Sequence, residues 1–181
     1  MFNKNKYQVC KNMISKELAD FVFNYLRMKK QTFYTLKRLG GDVRLLGTDG
    51  DPQAPGTYSC YSDIAMETLL TIIHGKLEKK TKLKLAPTYT YTRLYKNGDE
   101  LKKHKDRFSC EISATLNLGG DLWPIYLEDA NKKEVKVKLN PGDLLIYRGI
   151  ELPHWRKPFD GYMCGQVFFH NDNKPTKGLD N

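Results

Sequence analysis

The hydrophobic rhythm of the chain changes near residue 85. Before it, the spacing is helical. Leu18, Phe21, Val22, Tyr25 and Leu26 recur at i, i+3, i+4, i+7 and i+8, and Ser15 stands where a capping hydroxyl is wanted. A second stripe, Met66, Leu69, Leu70, Ile73 and Leu77, predicts a helix that starts near Ser62 or Asp63. The stretch between them, "GGDVRLLGTDGDPQAPGTYS", has the Gly, Pro and Asp content of a loop. Long loops in compact domains tend to be functional, so the segment from Gly40 to Ser59 is expected to lie over the mouth of a site.

After residue 85 the period becomes that of strands. "TYTYTRLY" is β-branched and aromatic, "CEISATLNL" alternates, and "LWPIYLED" follows a Gly-Gly-Asp turn. "EVKVKL" sets Val135, Val137 and Leu139 against Lys136 and Lys138, as a half-buried strand does. "NPG" reads as a turn before "DLLIYR", and "GYMCGQVFFH" closes the series. Helices followed by six or more short strands predict an α+β chain with a mainly β core, a sandwich or barrel buttressed by N-terminal helices. No internal repeat or linker is visible. One domain is therefore expected over 1–181, with helical support over about 1–85, a strand core over about 86–170 and a polar tail over 171–181.

The 40% apolar content agrees with a folded domain, and no run of 18 apolar residues predicts a membrane span. The start, "MFNKNKYQVCKN", lacks the apolar core of a signal peptide. Cys10, Cys60, Cys110 and Cys164 lie far apart without a CxxC pair, which predicts reduced thiols and a cytoplasmic setting. The net charge of +9 is uneven: residues 76–105 hold ten Lys or Arg against Glu78, Asp99 and Glu100. Such a stretch is either a solvated lysine-rich surface or a contact for nucleic acid or an acidic protein. It carries no aromatic-interleaved RNA motif and no recognition-helix signature.

The chemistry concentrates in "HKDRF". His104 and Asp106 at i and i+2 of a strand would share one face. Of the other histidines, His74 falls on the second predicted helix, His170 ends the last strand, and His154 stands in "ELPHWRKP". Four or five strands separate His154 from Asp106, enough for a jelly roll to return beside its starting strand. His104, Asp106 and His154 then form a two-histidine, one-carboxylate facial triad. It leaves coordination positions open and suits Fe(II), although Mn(II) and Zn(II) accept the same ligand types.

"LYKNGDELKKHKDRF" resembles the metal-binding strand of the prolyl 4-hydroxylase-like branch of the Fe(II)/2-oxoglutarate-dependent dioxygenases, with Tyr95, Gly98, His104 and Asp106 at the matching positions. "SATLNLGGD" and "LNPGDLLIYRGIELPHW" resemble its next strand and turn, and its Pro-Gly-Asp turn, strand and loop into the distal histidine. The resemblance covers about residues 88–170. It implies a double-stranded β-helix (jelly roll) and an iron triad of His104, Asp106 and His154. It also implies 2-oxoglutarate and O2 as co-substrates, ascorbate as reductant, and hydroxylation of a C–H bond, with a prolyl residue of a protein or peptide as first substrate. The alternatives are a nucleic-acid dealkylase or hydroxylase of the same superfamily and a non-catalytic jelly-roll binding module. Tyr95 is expected to donate its hydroxyl to the distal carboxylate of 2-oxoglutarate, as its counterpart does.

The chain departs from that family in one respect. The cation usual nine to eleven residues after the distal histidine is replaced by Met163, Cys164 and Gly165, with Gln166 next. A buried dicarboxylate needs a charge partner. Arg156, on the face of His154, is the first candidate anchor, and Arg93, on the face of Tyr95, the second. Thr115 and Asn117 share a strand face and are candidates to line the pocket, with Gln166 beside Tyr95 as a polar substitute for the anchor. Trp123 and Tyr126 are candidate substrate contacts whose aromatic rings equally suit a core.

Overall fold

The computed structural model describes residues 2–173. In chain order it has α1 (Phe2–Asn5), β1 (Tyr7–Cys10), α2 (Lys16–Arg38), β2 (Tyr58–Tyr61), α3 (Ile64–Thr81), β3 (Ala86–Lys96) and β4 (Leu101–His104). A 3₁₀ turn (Phe108–Cys110) leads into β5 (Ile112–Gly120), β6 (Ile125–Glu128), β7 (Glu134–Val137), β8 (Leu144–Arg148), β9 (His154–Arg156) and β10 (Met163–Asp172). The strands form a six-stranded sheet, β1-β8-β5-β10-β3-β2, and a four-stranded sheet, β4-β9-β6-β7. Every pairing is antiparallel. This is the jelly roll that the strand pattern and the resemblance predicted.

The two helices form where the stripes placed them. Ser15 Oγ accepts from the Leu18 amide, and Asp63 Oδ1 accepts from the amides of Ala65 and Met66. Each cap is worth about 1 kcal/mol. The apolar faces of α2 and α3 cover one side of the larger sheet, where Leu26, Leu70 and Ile73 meet Leu94, Leu116, Ile146 and Val167. At roughly 1.5–3 kcal/mol per fully buried large side chain, this layer is the main support of the sheet. The alternate residues of the same strands point the other way, into the space between the sheets. There Leu145 and Tyr147 pack against Ile125, Leu127 and Val137.

Several expectations need correction. The N-terminal region is not purely helical, because β1 and β2 take the two edges of the larger sheet. The loop expected to reach Ser59 ends earlier, since Thr48 bridges Ser59 and β2 begins at Tyr58. The last strand runs through His170 to Asp172. Most of the polar tail expected over 171–181 lies outside the described residues. The "NPG" turn forms as read, with Gly142 at φ +88°. A Cβ there would come within 2.6 Å of the Ile14 carbonyl oxygen, so both the turn and the approach of the N-terminal segment require glycine.

Candidate metal centre

His104 is the last residue of β4, and its Cα partner across the strand pair is His154 on β9. Asp106 is not on the strand, as its i, i+2 spacing had suggested. It lies just beyond β4, where its amide donates to the Gly149 carbonyl at 2.9 Å. The three side chains nevertheless converge, with their candidate ligand atoms all within 4.8 Å of one another. Asp106 Oδ1 lies 3.4 Å from His154 Nε2 and 3.8 Å from His104 Nε2.

The other ring nitrogen of each histidine is already engaged. His104 Nδ1 meets the Lys102 carbonyl at 2.7 Å, and His154 Nδ1 meets the Leu152 carbonyl at 3.0 Å. A carbonyl only accepts, so both Nδ1 atoms carry hydrogen when the rings are neutral. Both Nε2 lone pairs are thereby left facing Asp106, the tautomer a metal requires. Burial, and then the neighbouring His154, lower the pKa of His104. Burial opposes ionisation of Asp106, but the adjacent His154 and the Ser113 hydroxyl outweigh it and hold its pKa at about 2. An ionised carboxylate beside two imidazole Nε2 atoms is a donor set that fits Fe(II), Mn(II) or Zn(II).

The triad opens into a cavity of about 480 Å³ lined also by Tyr91, Arg93, Tyr147, Phe168 and His170. The long loop supplies Asp51, Pro52 and Gln53 to the same wall. Arg93 fastens that loop. Its Nε donates to Asp51 Oδ2 at 2.7 Å, Nη2 donates to Gln53 Oε1 at 2.6 Å, and Nη1 donates to the Tyr95 hydroxyl at 3.0 Å. Tyr91 donates to the same Asp51 oxygen at 2.5 Å. Arg93 therefore faces inward beside Tyr95, as its position predicted, but its donors are taken by the protein.

Arg156 differs. It faces inward on β9, two residues beyond His154, and is 2% exposed. Nη1 donates to the Trp123 carbonyl, and the guanidinium sits 5.0 Å from the Trp123 ring centroid. Nε and Nη2 are buried without a hydrogen-bond partner among the described residues. Leaving such donors unpaired is costly, so this fork is suited to a bidentate acceptor. A two-residue strand step places it ~6.6 Å along β9 from His154.

The remaining candidates divide. Thr115 donates to Gln166 Oε1 at 3.1 Å, and Gln166 donates to Asn117 Oδ1 at 3.1 Å, a buried cluster on the inner face of β5 and β10. Trp123 is inside, edge-on to Tyr95 and near Phe159. Tyr126 pairs with Trp155 across β6 and β9, stacked at 5.9 Å and facing away from His154. It does not join the triad cavity. His74 stays on α3 near Glu78.

The basic stretch is not one face. Lys76 donates to the Met13 carbonyl, whereas Arg93 and Lys96 pair with Asp51 and Asp99, and Lys103 on β4 pairs with Glu128. All four cysteines are buried and free, as expected. Among the described residues no helix is long and apolar enough to cross a membrane.

Sequence reasoning missed Asp51, Tyr91, Ser113 and Tyr147. One signal was present. In β5, Ser113, Thr115 and Asn117 alternate with Ile112, Ala114, Leu116 and Leu118, yet every one is buried. A polar row on the second face of a wholly buried strand marks a site rather than solvent.

No protein-family model matches the chain, and no curated protein matches it. Solved structures do. A prolyl-4-hydroxylase from Pseudomonas putida superposes with a TM-score of 0.75 at 16% identity, over 96% of each chain. A prolyl hydroxylase from Trichoplax adhaerens, solved with a peptide fragment of the hypoxia inducible factor oxygen degradation domain, gives 0.65 at 14% identity, over 99% of this chain and 89% of that one. A Streptomyces hygroscopicus protein with nickel, 2-oxoglutarate and hygromycin B bound gives 0.70 at 12% identity, over 96% and 85%. The chain thus has the fold of the iron- and 2-oxoglutarate-dependent oxygenases, the prolyl hydroxylases among them.

Proposed function

We propose that this protein is an Fe(II)- and 2-oxoglutarate-dependent dioxygenase that hydroxylates a C–H bond of a protein or peptide, in the manner of the prolyl 4-hydroxylases. One observation carries the reading: a facial triad with both histidine lone pairs turned inward, and a buried guanidinium with two unpaired donors a strand step away. His104, Asp106 and His154 would hold the metal. Iron, with 2-oxoglutarate and dioxygen, supplies the oxidising power to break an unactivated C–H bond.

The chain's own residues supply placement and exclusion. Arg156 offers Nε and Nη2 to the distal carboxylate of 2-oxoglutarate, in place of the cation missing near Cys164. Tyr95, fully buried and held by Arg93, and the Thr115–Gln166 cluster complete the polar surroundings of that co-substrate. Ile125, Leu145 and Tyr147 keep the inner wall apolar and limit access of water. Ascorbate is the expected reductant.

A polymer suits the surface better than a small molecule. A second cavity of about 620 Å³ shares Pro52, Gln53, Leu101 and His104 with the first, so a groove continues past the triad. Its walls mix Lys96 and Lys102 with Asp99 and Glu100, which fits a peptide better than a run of phosphates. The peptide-bound Trichoplax structure of the same fold supports that choice. The test is 2-oxoglutarate turnover with Fe(II) and ascorbate over proline-containing peptides, read as succinate and as the gain of one oxygen in the peptide. Stimulation by single-stranded DNA or RNA and by no peptide would replace the reading with the nucleic-acid one. No turnover under any condition would leave a binding module.

A further inference from the structure

We infer that Ser113 and His170 form a positioning relay that fixes the carboxylate of Asp106 so that one oxygen alone faces the metal position. The inference rests on the triad reading above. Asp106 Oδ1 faces the two histidine Nε2 atoms, whereas Oδ2 accepts from Ser113 Oγ at 2.6 Å. An ionised carboxylate has no hydrogen to give, so the hydroxyl hydrogen belongs to this bond. Ser113 Oγ also lies 3.3 Å from the Cys110 carbonyl, but it has one hydrogen, and the shorter, charge-assisted bond takes it.

His170 Nδ1 lies 3.1 Å from the same Oγ. With its hydrogen committed to Asp106, that oxygen can only accept here, so His170 must carry hydrogen on Nδ1. The order of donation is therefore His170 to Ser113 to Asp106. The three residues come from separate places in the chain. Asp106 follows β4, and Ser113 and His170 are Cα partners across β5 and β10. Ser113 is fully buried and His170 is 7% exposed, with its ring 4.7 Å from that of Tyr89.

Gly149 completes the arrangement. A Cβ on it would lie 2.3 Å from Asp106 Oδ2 and 2.7 Å from Ser113 Oγ. The backbone passes so close that the carboxylate cannot swing toward it, and the Gly149 carbonyl also binds the Asp106 amide. One oxygen is thus tethered and walled, and the other is presented. Held by one oxygen in this way, Asp106 would occupy one coordination position of a bound metal and leave the rest of the open face free. Freed to chelate, it would compete with the ligands that must bind there.

The test is titration of the metal-stripped full chain with Co(II), followed by the absorption spectrum of the bound ion. Ser113→Ala and His170→Phe are each expected to weaken Co(II) binding roughly 10–100-fold and to change the spectrum. His170→Asn keeps a donor near the place of Nδ1 and should stay within about threefold of the parent. The double variant Ser113→Ala/His170→Phe should lose no more than Ser113→Ala alone, because the histidine acts only through the hydroxyl. Parental affinity and spectrum in His170→Phe would overturn the relay. Equal losses in His170→Asn and His170→Phe, or additive losses in the double variant, would do so too and would reduce His170 to packing. Failure of the parent itself to bind Co(II) would strike at the triad reading instead, which separates the two.

Discussion

Replacing Arg156 by Gln separates two quantities that usually move together, ligand affinity and fold stability. The guanidinium is 2% exposed, and two of its donor atoms have no partner among the described residues. If those donors hold the distal carboxylate of 2-oxoglutarate, removing them leaves a buried anion unpaired. Breaking one side of such a pair costs ~3–5 kcal/mol, about a hundred- to several-thousandfold in affinity. The protein without co-substrate should respond in the opposite sense. There the arginine is itself an incompletely paired buried cation, so Arg156→Gln loses the bond to the Trp123 carbonyl, worth about 1 kcal/mol, and sheds a larger desolvation penalty. Its midpoint in urea should match or exceed that of the parent. Binding of 2-oxoglutarate to the Mn(II)-loaded protein, measured by calorimetry, should fall by at least a hundredfold while Mn(II) affinity changes little. Arg93→Gln should instead destabilise the protein, because it strands Asp51, and should affect 2-oxoglutarate far less. Loss of co-substrate binding in Arg93→Gln with parental binding in Arg156→Gln would refute the reasoning and move the anchor to β3.

Further outcomes follow from the same geometry. His104→Ala, Asp106→Ala and His154→Ala should each abolish iron-dependent turnover of 2-oxoglutarate with the far-ultraviolet circular dichroism unchanged; full iron content in His154→Ala would send the distal ligand elsewhere. The loop should tighten on substrate, so amides over 46–57 should gain hydrogen-exchange protection with a turnover-competent peptide, and Asp51→Asn should raise their exchange without one; equal exchange in every state would make the loop a passive surface. Burial lowers the pKa of His170 to about 4, below its unfolded value near 6.5. The unfolded chain therefore binds the extra proton between those values, and stability of the metal-free protein should fall by ~3 kcal/mol as pH drops from 6.5 to 4, with His104 adding in the same sense. Most of that slope should vanish in His170→Asn, and a slope untouched by that substitution would place the titration elsewhere.

The helices and most strands were legible because each keeps one hydrophobic period, even where, as in β5, both faces are buried. The stripe from Met66 to Leu77 and the alternation in 134–139 leave little choice of element. β1, β2, β4 and β9 were harder, since four or three residues are too few to set a period, and sheet pairing rather than local pattern makes them strands. The triad was legible from residue type and order, but Asp106 reaches its place from beyond the strand, where its backbone N–H donates to the Gly149 carbonyl. The two inward arginines could be named from their faces. Which one keeps free donors could not, because that depends on Asp51 and Gln53, some forty residues away in a loop without periodicity. Tyr126 shows the converse: its aromatic run was visible, yet the phase of β6 turns it outward onto Trp155.

Release of labelled carbon dioxide from 2-oxoglutarate labelled at its 1-carboxyl measures the proposed chemistry before any substrate is known. With Fe(II), ascorbate and air, the parent protein should release label in step with succinate, and chelation of the metal or Asp106→Ala should stop it. Release that is absent in the parent, or that persists at the parental rate in Asp106→Ala, would contradict an iron centre built on His104, Asp106 and His154.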